Sequence, residues 1–289
     1  MENMITAAGN IRSQEFAHGY YDESFQKVSL KKHHHTQNEM VFVKSGECSF
    51  DFSEGSYTVS KNQILLISAL DNHSAHVLAA PYKRYVFVSS MDLCSEYIND
   101  PVLASAFIRC SQQRGAIDLT PELADELEEH FKILVLETSK QREKWKERCA
   151  GILFDILILL YRNSTELFLI DKNSKDLNVI FAIKEYIDHH YSEPLNLDAV
   201  AGKFFINKYY LSHQFKEFMG YGFKKYIQLI RINKAKIMLQ NTNLSINEIS
   251  VRIGYDNINY FIRLFKEKED LTPYQYRKMY FKSSKSSLT

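Results

Sequence analysis

Side chains that could read the edges of DNA bases occur in two short segments of the carboxyl-terminal half. Arginine can pair with guanine through two hydrogen bonds, and asparagine can pair with adenine in the same way. The candidates for base contacts in the first segment are Tyr209, Ser212 and His213. Those in the second segment are Asn257, Asn259, Ile262 and Arg263. A phosphate contact or a plain surface charge is the alternative role for Arg263 and for His213.

The two segments belong to one unit that is written twice between residues 197 and 276. The shared positions of the first copy are Leu211, Phe215, Lys216, Glu217 and Tyr226. Their counterparts, fifty positions later, are Phe261, Phe265, Lys266, Glu267 and Tyr276. The apolar members predict the inward face of each helix, which leaves the polar candidates outside. The repeat therefore predicts tandem helix-turn-helix units, able to place two recognition helices in successive major grooves on one face of DNA.

Lysine side chains near these positions suit the phosphate backbone better than the bases, because each is a flexible point charge. The candidates for phosphate contacts are Lys208, Lys216, Lys266 and Lys268. Simple exposure to solvent is the alternative for each of them. Arg231 and Lys234 lie on the segment that joins the two copies, and we expect them to stabilise that segment.

The charge of the chain is divided unevenly between its two parts. Residues 175–289 contain 18 Lys and Arg against 11 Asp and Glu, a net charge of +7. Residues 1–174 contain 18 against 24, a net charge of −6. A basic carboxyl-terminal part suits a phosphate-facing domain, joined here to an acidic part with another task.

Local start signals divide the carboxyl-terminal part into helices that would position the candidate side chains. Asn196 is a plausible cap for the first helix of the first copy. A turn over residues 204–206 then leads to a helix over residues 207–219. A connecting helix is predicted over residues 223–240, with a length of roughly 27 Å. This length is close to the ~34 Å that separates successive major-groove faces.

The second copy has stronger local signals than the first. Ser245 and Glu248 form a capping box, in which each side chain satisfies the other residue's backbone amide. Gly254 supplies a sharp turn at low conformational cost. Either Asp256 or Asn257 caps the second recognition helix.

The amino-terminal half alternates short apolar stretches with turn residues. The stretches are Met40–Val43, Cys48–Phe52, Ser56–Val59, Ile64–Ile67 and Tyr85–Val88, with breaks at Ser45-Gly46 and Glu54-Gly55. Short strands at regular spacing predict an all-β sandwich or barrel.

A histidine-rich motif lies within this predicted barrel. It is His33-x-His35-x3-Glu39-x6-Gly46, and it resembles the first motif of the cupin family, a small jelly-roll barrel. The resemblance implies a site that a later histidine, either His73 or His76, would complete. Such a set suits Fe, Mn, Ni or Zn, but the second cupin motif is poorly kept. We therefore predict that His33, His35, Glu39 and His73 line a pocket for an organic effector, or a pocket that has lost its ligand specificity, and we assign no metal or cofactor to it. Metal binding is the alternative for this set, and a solvated edge is the alternative for the histidine triplet.

Residues 119–163 change to helical periodicity. Thr120-Pro121 is a helix start, and a second helix follows over residues 142–161. Its surface is too apolar to be buried by one helix pair alone, so packing against the barrel and a homodimer interface both remain open. The predicted domains are an effector-sensing barrel (1–118), a helical pair for packing and dimerisation (119–163), a linker (164–175) and a DNA-binding domain (176–289).

The four cysteines, Cys48, Cys94, Cys110 and Cys149, have no regular spacing, which favours reduced thiols in a cytosolic protein. The amino terminus shows no basic-then-apolar signal sequence. The longest apolar run, Ile152 to Leu160, is far shorter than the roughly 20 residues of a membrane span. We therefore expect a cytoplasmic protein without a membrane partner.

Two strings of the carboxyl-terminal part carry a specific family resemblance. The string from Ile246 to Lys266, followed by Leu271-Thr-Pro-Tyr-Gln-Tyr-Arg277, resembles the signature of the AraC/XylS family of transcription regulators. Upstream, Leu211-x3-Phe215-Lys-Glu and Arg231-Ile-Asn-Lys-Ala235 resemble the first motif and connecting helix of that family. Two departures stand out: Phe205 replaces the usual turn glycine, and Glu269-Asp270 replaces the usual Thr-Gly.

The resemblance implies an α+β protein of two domains, a cupin-like barrel with a helical pair followed by an all-α domain with two helix-turn-helix motifs. It also implies a non-enzymatic regulator, a dimeric activator of promoter DNA whose small-molecule effector is a carbohydrate, with RNA polymerase as a further partner. The family's base-contacting positions fall on Tyr209, Ser212, His213, Asn259, Ile262 and Arg263. The alternatives are a metal-dependent cupin isomerase or dioxygenase with a helical tail, and a DNA-binding regulator without an effector.

Overall fold

Among the residues that the structure describes, the amino-terminal strands form one antiparallel sheet. The computed structural model describes residues 16–33, 37–52, 55–68, 71, 73–90, 93, 97, 100–107, 115–168, 175–269 and 271–285. The strands are β1 (Ala17–Ser24), β2 (Ser29–His33), β3 (Gln37–Phe52), β4 (Gly55–Ser60), β5 (Gln63–Ile67), β6 (His73–Ser90) and β7 (Ile117–Asp118). Their order is β1-β6-β3-β5-β7, with β2 also paired to β6 and β4 to β3. The chain divides into two units, Met1–Leu177 and Asn178–Thr289.

Strands β3 and β6 run side by side from one end of the sheet to the other. Their pairing extends from Gln37 opposite Ser90 to Phe52 opposite His73. The sequence predicts a break near Gly46, but the structure keeps β3 continuous and shifts its register there. Gly46 has a φ of 76°, and a Cβ on it would collide with carbonyl oxygens of β6. The glycine therefore makes a bulge inside a strand instead of ending it.

Alternate residues of the sheet face two different cores. Met40 and Phe42 of β3 pack with the helical pair that follows the sheet. Val41 and Val43 alternate with these two residues along β3 and pack in a second core. This second core also contains Phe50 from the far end of β3 and Val59 of β4. The sheet therefore closes over this second core as a cupin-like barrel does, and we call the side that lines it the enclosed face.

The helices of the first unit cover the other face. They are α1 (Pro101–Ala104), α2 (Pro121–Lys140) and α3 (Trp145–Asn163), followed by a 3-10 turn over Thr165–Phe168. The predicted helix start is confirmed, since the hydroxyl of Thr120 accepts the amide of Leu123 at 3.3 Å. Phe131 of α2 and Leu157 of α3 are buried in the core that they share with the sheet. None of the helices described here is long and apolar enough to cross a membrane.

The second unit is helical. Its helices are α4 (Lys175–His190), α5 (Leu197–Lys203), α6 (Lys208–Met219), α7 (Phe223–Asn241), α8 (Ile246–Arg252), α9 (Ile258–Glu269) and α10 (Pro273–Lys285). We call α5 and α6 with their turn the first module, and α8 and α9 with theirs the second module. The long α7 joins the two modules, as the sequence predicts.

Candidate nucleic-acid interface and effector pocket

The second module presents a polar face built by local sequence signals. The capping box of α8 is confirmed: Ser245 Oγ accepts the amide of Glu248 at 3.2 Å, and Glu248 Oε2 accepts the amide of Ser245 at 2.7 Å. Helix α9 begins after Asn257, whose Oδ1 accepts the amide of Tyr260 at 3.1 Å. Of the two caps left open by the sequence, Asn257 therefore caps the helix.

The two faces of α9 have opposite character. Phe261 and Phe265 are buried in the core of the module. Asn259 and Arg263 are exposed on the opposite side, and Ile262 is half-buried at the edge. Arg263 also lies over the Tyr260 ring, 5.6 Å from its centroid. Donors and acceptors suited to base edges thus face solvent near the amino end of a helix whose other side is fixed in a core.

The first module has the same arrangement with different side chains. Asn207 caps α6 through its Oδ1, which accepts the amide of Tyr209 at 2.8 Å. Leu211 and Phe215 are buried. The side chains of Tyr209, Ser212 and His213 are all exposed. The structure therefore places each predicted base-reading residue on the surface of its module, with Ile262 only partly so.

The predicted phosphate-binding lysines fall into two groups. Lys216 and Lys266 are exposed. Lys208 pairs with Asp198 at 2.8 Å, and Lys268 pairs with Glu267 at 2.7 Å. The lysines of the second group would have to leave a carboxylate to bind a phosphate, so we expect them to contribute less.

Arg231 of the connecting helix α7 joins the second module to the loop that precedes the first module. Its guanidinium donates to the carbonyl oxygens of Tyr191, Glu193 and Gly254, each at 2.7 Å. The first two lie in the loop before α5, and the third is the turn of the second module. The guanidinium also covers the Tyr255 ring at 5.0 Å. The role of Arg231 therefore extends beyond its own helix, to the loop before the first module and to the turn of the second module.

Two further contacts of α7 were not predicted from the sequence. Tyr226 donates its hydroxyl hydrogen to Asp188 of α4 at 2.9 Å, and burial, with Asp188 adding to it, raises the pKa of Tyr226. Lys236 pairs with Glu269 at the end of α9, with 2.8 Å between Nζ and Oε2. Both side chains are buried; burial lowers the pKa of Lys236, and the nearby Glu269 opposes that shift. Glu269 is one of the departures from the family pattern, and here it anchors the recognition helix to the connector.

The enclosed face of the sheet brings together two of the four predicted pocket residues. Glu39 and His73 are 4% and 1% exposed, with 3.5 Å between Oε2 and Nε2. His33 pairs with His73 through the β2–β6 ladder, while His35 lies outside the described residues. His76 is elsewhere, with its Nε2 2.8 Å from Asp51. The geometry thus selects His73 over His76 as the neighbour of Glu39.

The same face holds charged residues that the sequence did not single out. Arg84 is 3% exposed and bonds through Nη2 to Oδ2 of Asp22 at 3.1 Å. It also lies over the Tyr82 ring at 5.7 Å. Burial raises the pKa of Tyr20, which Arg84 opposes and Glu39 reinforces. The sequence did contain a signal for the burial of Arg84. Arg84, Val86 and Val88 are alternate residues of one strand, so they lie on the same face of the sheet.

In the part of the chain that the structure describes, no group of three or more His, Cys, Asp or Glu residues is arranged to hold a metal ion. The Glu39–His73 and Asp22–Arg84 pairs of this face combine donors and acceptors. This is the composition of a site that orients a small polar molecule.

Comparison with known proteins assigns both parts of the chain. Residues 17–157 match the family model of the AraC-like ligand binding domain, and residues 200–279 match that of a helix-turn-helix domain. The uncharacterized HTH-type transcriptional regulator YijO of Escherichia coli (strain K12) is 36% identical over 99 residues, covering 34% of this chain and 35% of YijO. The HTH-type transcriptional activator RhaS of Escherichia coli (strain SMS-3-5 / SECEC) is 23% identical over 256 residues, covering 86% of this chain and 87% of RhaS.

A solved structure shares the fold over most of the chain. The unsaturated fatty acid bound wild-type ToxT from Vibrio cholerae strain SCE256 superposes with a TM-score of 0.53 at 14% identity, covering 90% of this chain and 94% of ToxT. The similar proteins are transcription regulators rather than enzymes, which disfavours the interpretation as a cupin isomerase or dioxygenase.

Proposed function

The chain belongs to the AraC/XylS family of DNA-binding transcription regulators, and we propose that α6 and α9 read bases in two successive major grooves on one face of promoter DNA. The observation that carries this proposal is the exposure of Asn259 and Arg263 on α9, opposite a buried aromatic face. The same division of faces on α6 supports a second, parallel contact.

Each exposed side chain has a role that follows from its chemistry. Arg263 pairs with guanine and Asn259 with adenine, while Ile262 contacts a thymine methyl group. Ser212, His213 and Tyr209 are less selective readers in the first groove. Asn257 retains its amide NH₂ as a donor after capping α9, and it completes the reading set. Lys216 and Lys266 bind phosphates, with Lys208 and Lys268 in support.

The DNA assignment is tested with two variants on the promoter of the protein's own or an adjacent gene. Arg263→Ala should cost about 1–3 kcal/mol of binding free energy and relax the base preference at one position. Lys266→Ala should weaken all sequences alike and reduce the dependence of affinity on salt. Equal, sequence-blind losses from both variants would overturn the assignment of Arg263 as a base reader.

The effector that we propose for the enclosed face is a neutral polyhydroxylated molecule, of the carbohydrate class. Asp22 and Glu39 offer acceptors, Arg84 offers donors, and His73 can supply either. Hydroxyl groups donate and accept, so they match such a mixed set. An anionic effector would add a negative charge beside two carboxylates that face a single guanidinium, which disfavours a fatty acid of the kind bound to ToxT.

A thermal-shift screen of sugars and fatty acids tests the effector class, because a ligand that binds the folded state raises its unfolding temperature. We expect a sugar to raise the unfolding temperature of wild type, and Glu39→Gln to reduce that shift. Glu23→Gln is the matched control, since Glu23 is a surface residue paired with Lys83. A shift from fatty acids alone would contradict the carbohydrate class, and promoter binding that no ligand alters would favour the effector-independent regulator.

The helical pair is the proposed homodimer interface. Although α2 and α3 pack on the sheet, α3 keeps a stripe of exposed Gly151 and Asp155 beside half-buried Ile158 and Leu159. Joining two copies there would bury this stripe and double the number of DNA-reading helices. We further propose that effector binding shifts the population toward a DNA-competent arrangement. In that state the dimer would activate transcription through RNA polymerase in the cytoplasm, since the similar protein RhaS is a transcriptional activator.

A further inference from the structure

Phe205 combines two unfavourable features at the turn of the first module. Its φ is +54°, in the left-handed region, and its side chain is 96% exposed. Gly254 holds the corresponding place in the second module, with a φ of +85°. The backbone bonds match as well: the residue after each, Ile206 or Tyr255, donates five positions back, at 3.0 Å and 2.9 Å.

Among the described residues of the second unit, nothing offsets the steric cost of a phenylalanine at this left-handed turn. Glycine adopts a left-handed conformation without steric cost, whereas a residue with a Cβ does so at a cost. A phenylalanine usually offsets such a cost by burying its ring, which Phe205 does not do. A strained backbone conformation at a residue other than glycine motivates a hypothesis of function, and the exposed ring of Phe205 is accessible to another molecule.

The position of Phe205 indicates which molecule that is. It lies two residues before Asn207, the cap of α6, and therefore at the amino end of the recognition helix, the end that reaches base edges. Tyr209, in the first turn of α6, is also 75% exposed, and Lys208 lies 5.5 Å from its ring. Two exposed aromatic rings beside a lysine suit the edge of a DNA groove, where thymine methyl groups and deoxyribose are apolar and phosphates are anionic.

We infer that Phe205 is an additional specificity-determining residue that packs on a thymine methyl group and its deoxyribose at the edge of the first major groove. This inference rests on the proposed reading role of α6. It differs from the hydrogen bonds proposed for Arg263 and Asn259 because the ring senses shape and a methyl group, and it adds to the first groove the kind of apolar contact proposed for Ile262 in the second. It also explains why glycine, the residue that the turn itself favours, is absent here.

Replacing Phe205 by glycine distinguishes a role of its side chain in DNA binding from a role in the stability of the turn. A DNA site is first selected in vitro with the wild-type full chain. Phe205→Gly relieves the backbone strain, so we expect an unfolding temperature no lower than wild type, together with an affinity about tenfold weaker from loss of the apolar contact. Phe205→Asn, which also tolerates the left-handed conformation, should give the same loss. Tyr274→Ala is the control, since Tyr274 is 68% exposed on α10 and should leave binding unchanged.

Replacing thymines by uracil in the half of the site bound by the first module removes only the methyl groups. This change should weaken wild type and leave Phe205→Gly unaffected. Wild-type affinity of Phe205→Gly for the site would overturn the inference. If this variant binds DNA normally but no longer supports transcription in the presence of polymerase, the ring contacts a protein instead of DNA. Arg263→Ala is measured in parallel. If Arg263→Ala binds DNA normally, the proposed function fails. If Arg263→Ala loses affinity while Phe205→Gly binds as wild type does, only this inference is refuted.

Discussion

In the second module the chain turns at Gly254, whereas in the first module it passes through the same left-handed conformation at Phe205. The second turn has no room for a side chain, because a Cβ on Gly254 would collide with the Ser192 carbonyl and the Arg231 guanidinium. The first turn is open to solvent. A left-handed turn residue is therefore fixed by packing in the second module, whereas in the first module it is left available for contacts.

The contacts around the two recognition helices extend this difference. Helix α9 is held at its start by the capped turn that Arg231 binds, and at its end by the buried Lys236–Glu269 pair. Helix α8 begins with a full capping box, formed by Ser245 and Glu248. In α5 the position equivalent to Glu248 is occupied by Ala199, whose side chain cannot complete such a box. We infer that the second module is the more rigid reader, and that the first depends more on the surface it meets.

The largest effect is expected from breaking the buried ion pair. Lys236→Ala removes the ammonium group that faces the buried carboxylate of Glu269, which should lower the free energy of unfolding by about 3–5 kcal/mol. Urea denaturation of the full chain measures this loss. Replacing both members by apolar residues, Lys236→Met with Glu269→Leu, should restore most of the stability. If the double variant is as unstable as the single one, the pair does more than neutralise a buried charge.

Gly254→Ala should have the next largest effect. A Cβ there strains the backbone and displaces Ser192 and Arg231, at a cost of about 2–3 kcal/mol. Phe205→Ala is the matched change in the first module, and it should alter stability by less than about 0.5 kcal/mol because neither residue is glycine and the site is exposed. Thermal unfolding of both variants gives the comparison, and similar losses would remove the distinction between the turns.

Arg231→Lys tests the link between the modules. An ammonium group cannot donate to three carbonyl groups in the planar arrangement that a guanidinium allows. We expect a loss of roughly 1–2 kcal/mol in stability and a weaker penalty when one base pair is inserted between the two contact regions of a selected DNA site. An insertion penalty as large as that of wild type would show that Arg231 does not set the spacing of the modules.

Glu248→Gln should give the smallest effect, and one that depends on pH. The backbone and side chain of Ser245 lower the pKa of Glu248 below the 4.5 of the unfolded chain. Its contribution is therefore present above that value and fades as pH falls through the lower, folded pKa. Unfolding temperatures of wild type and Glu248→Gln should differ slightly at pH 6, and the difference should shrink as the pH falls below the unfolded pKa. A difference that stays constant would mean that the carboxylate charge is not responsible.

The features that the sequence predicted are those encoded within a few residues. The caps at Asn196 and Ser245 and the left-handed turn at Gly254 depend on neighbouring side chains and amides, so their patterns are readable. The AraC/XylS strings placed the fold of the second unit, and the resemblance of the motif around Glu39 to the cupin family placed that of the first.

The features that were missed depend on pairings between distant segments. Gly46 looks like a turn, and only the pairing of β3 with β6 makes it a bulge. Arg84 was outside the apolar stretch that marked its strand, and its burial depends on Asp22, 62 positions away. Lys236 and Glu269 are 33 positions apart, and no local pattern indicates that they meet.

A guanine-methylation interference experiment on a selected DNA site tests the central claim most directly, because methyl groups on guanine N7 project into the major groove. For each bound copy of the chain, two exposed recognition helices predict two clusters of interfering guanines about 10 base pairs apart, so a homodimer doubles the number of clusters. Arg263→Ala should remove interference from one cluster and leave the other. A single cluster, or two that Arg263→Ala leaves unchanged, would contradict the account.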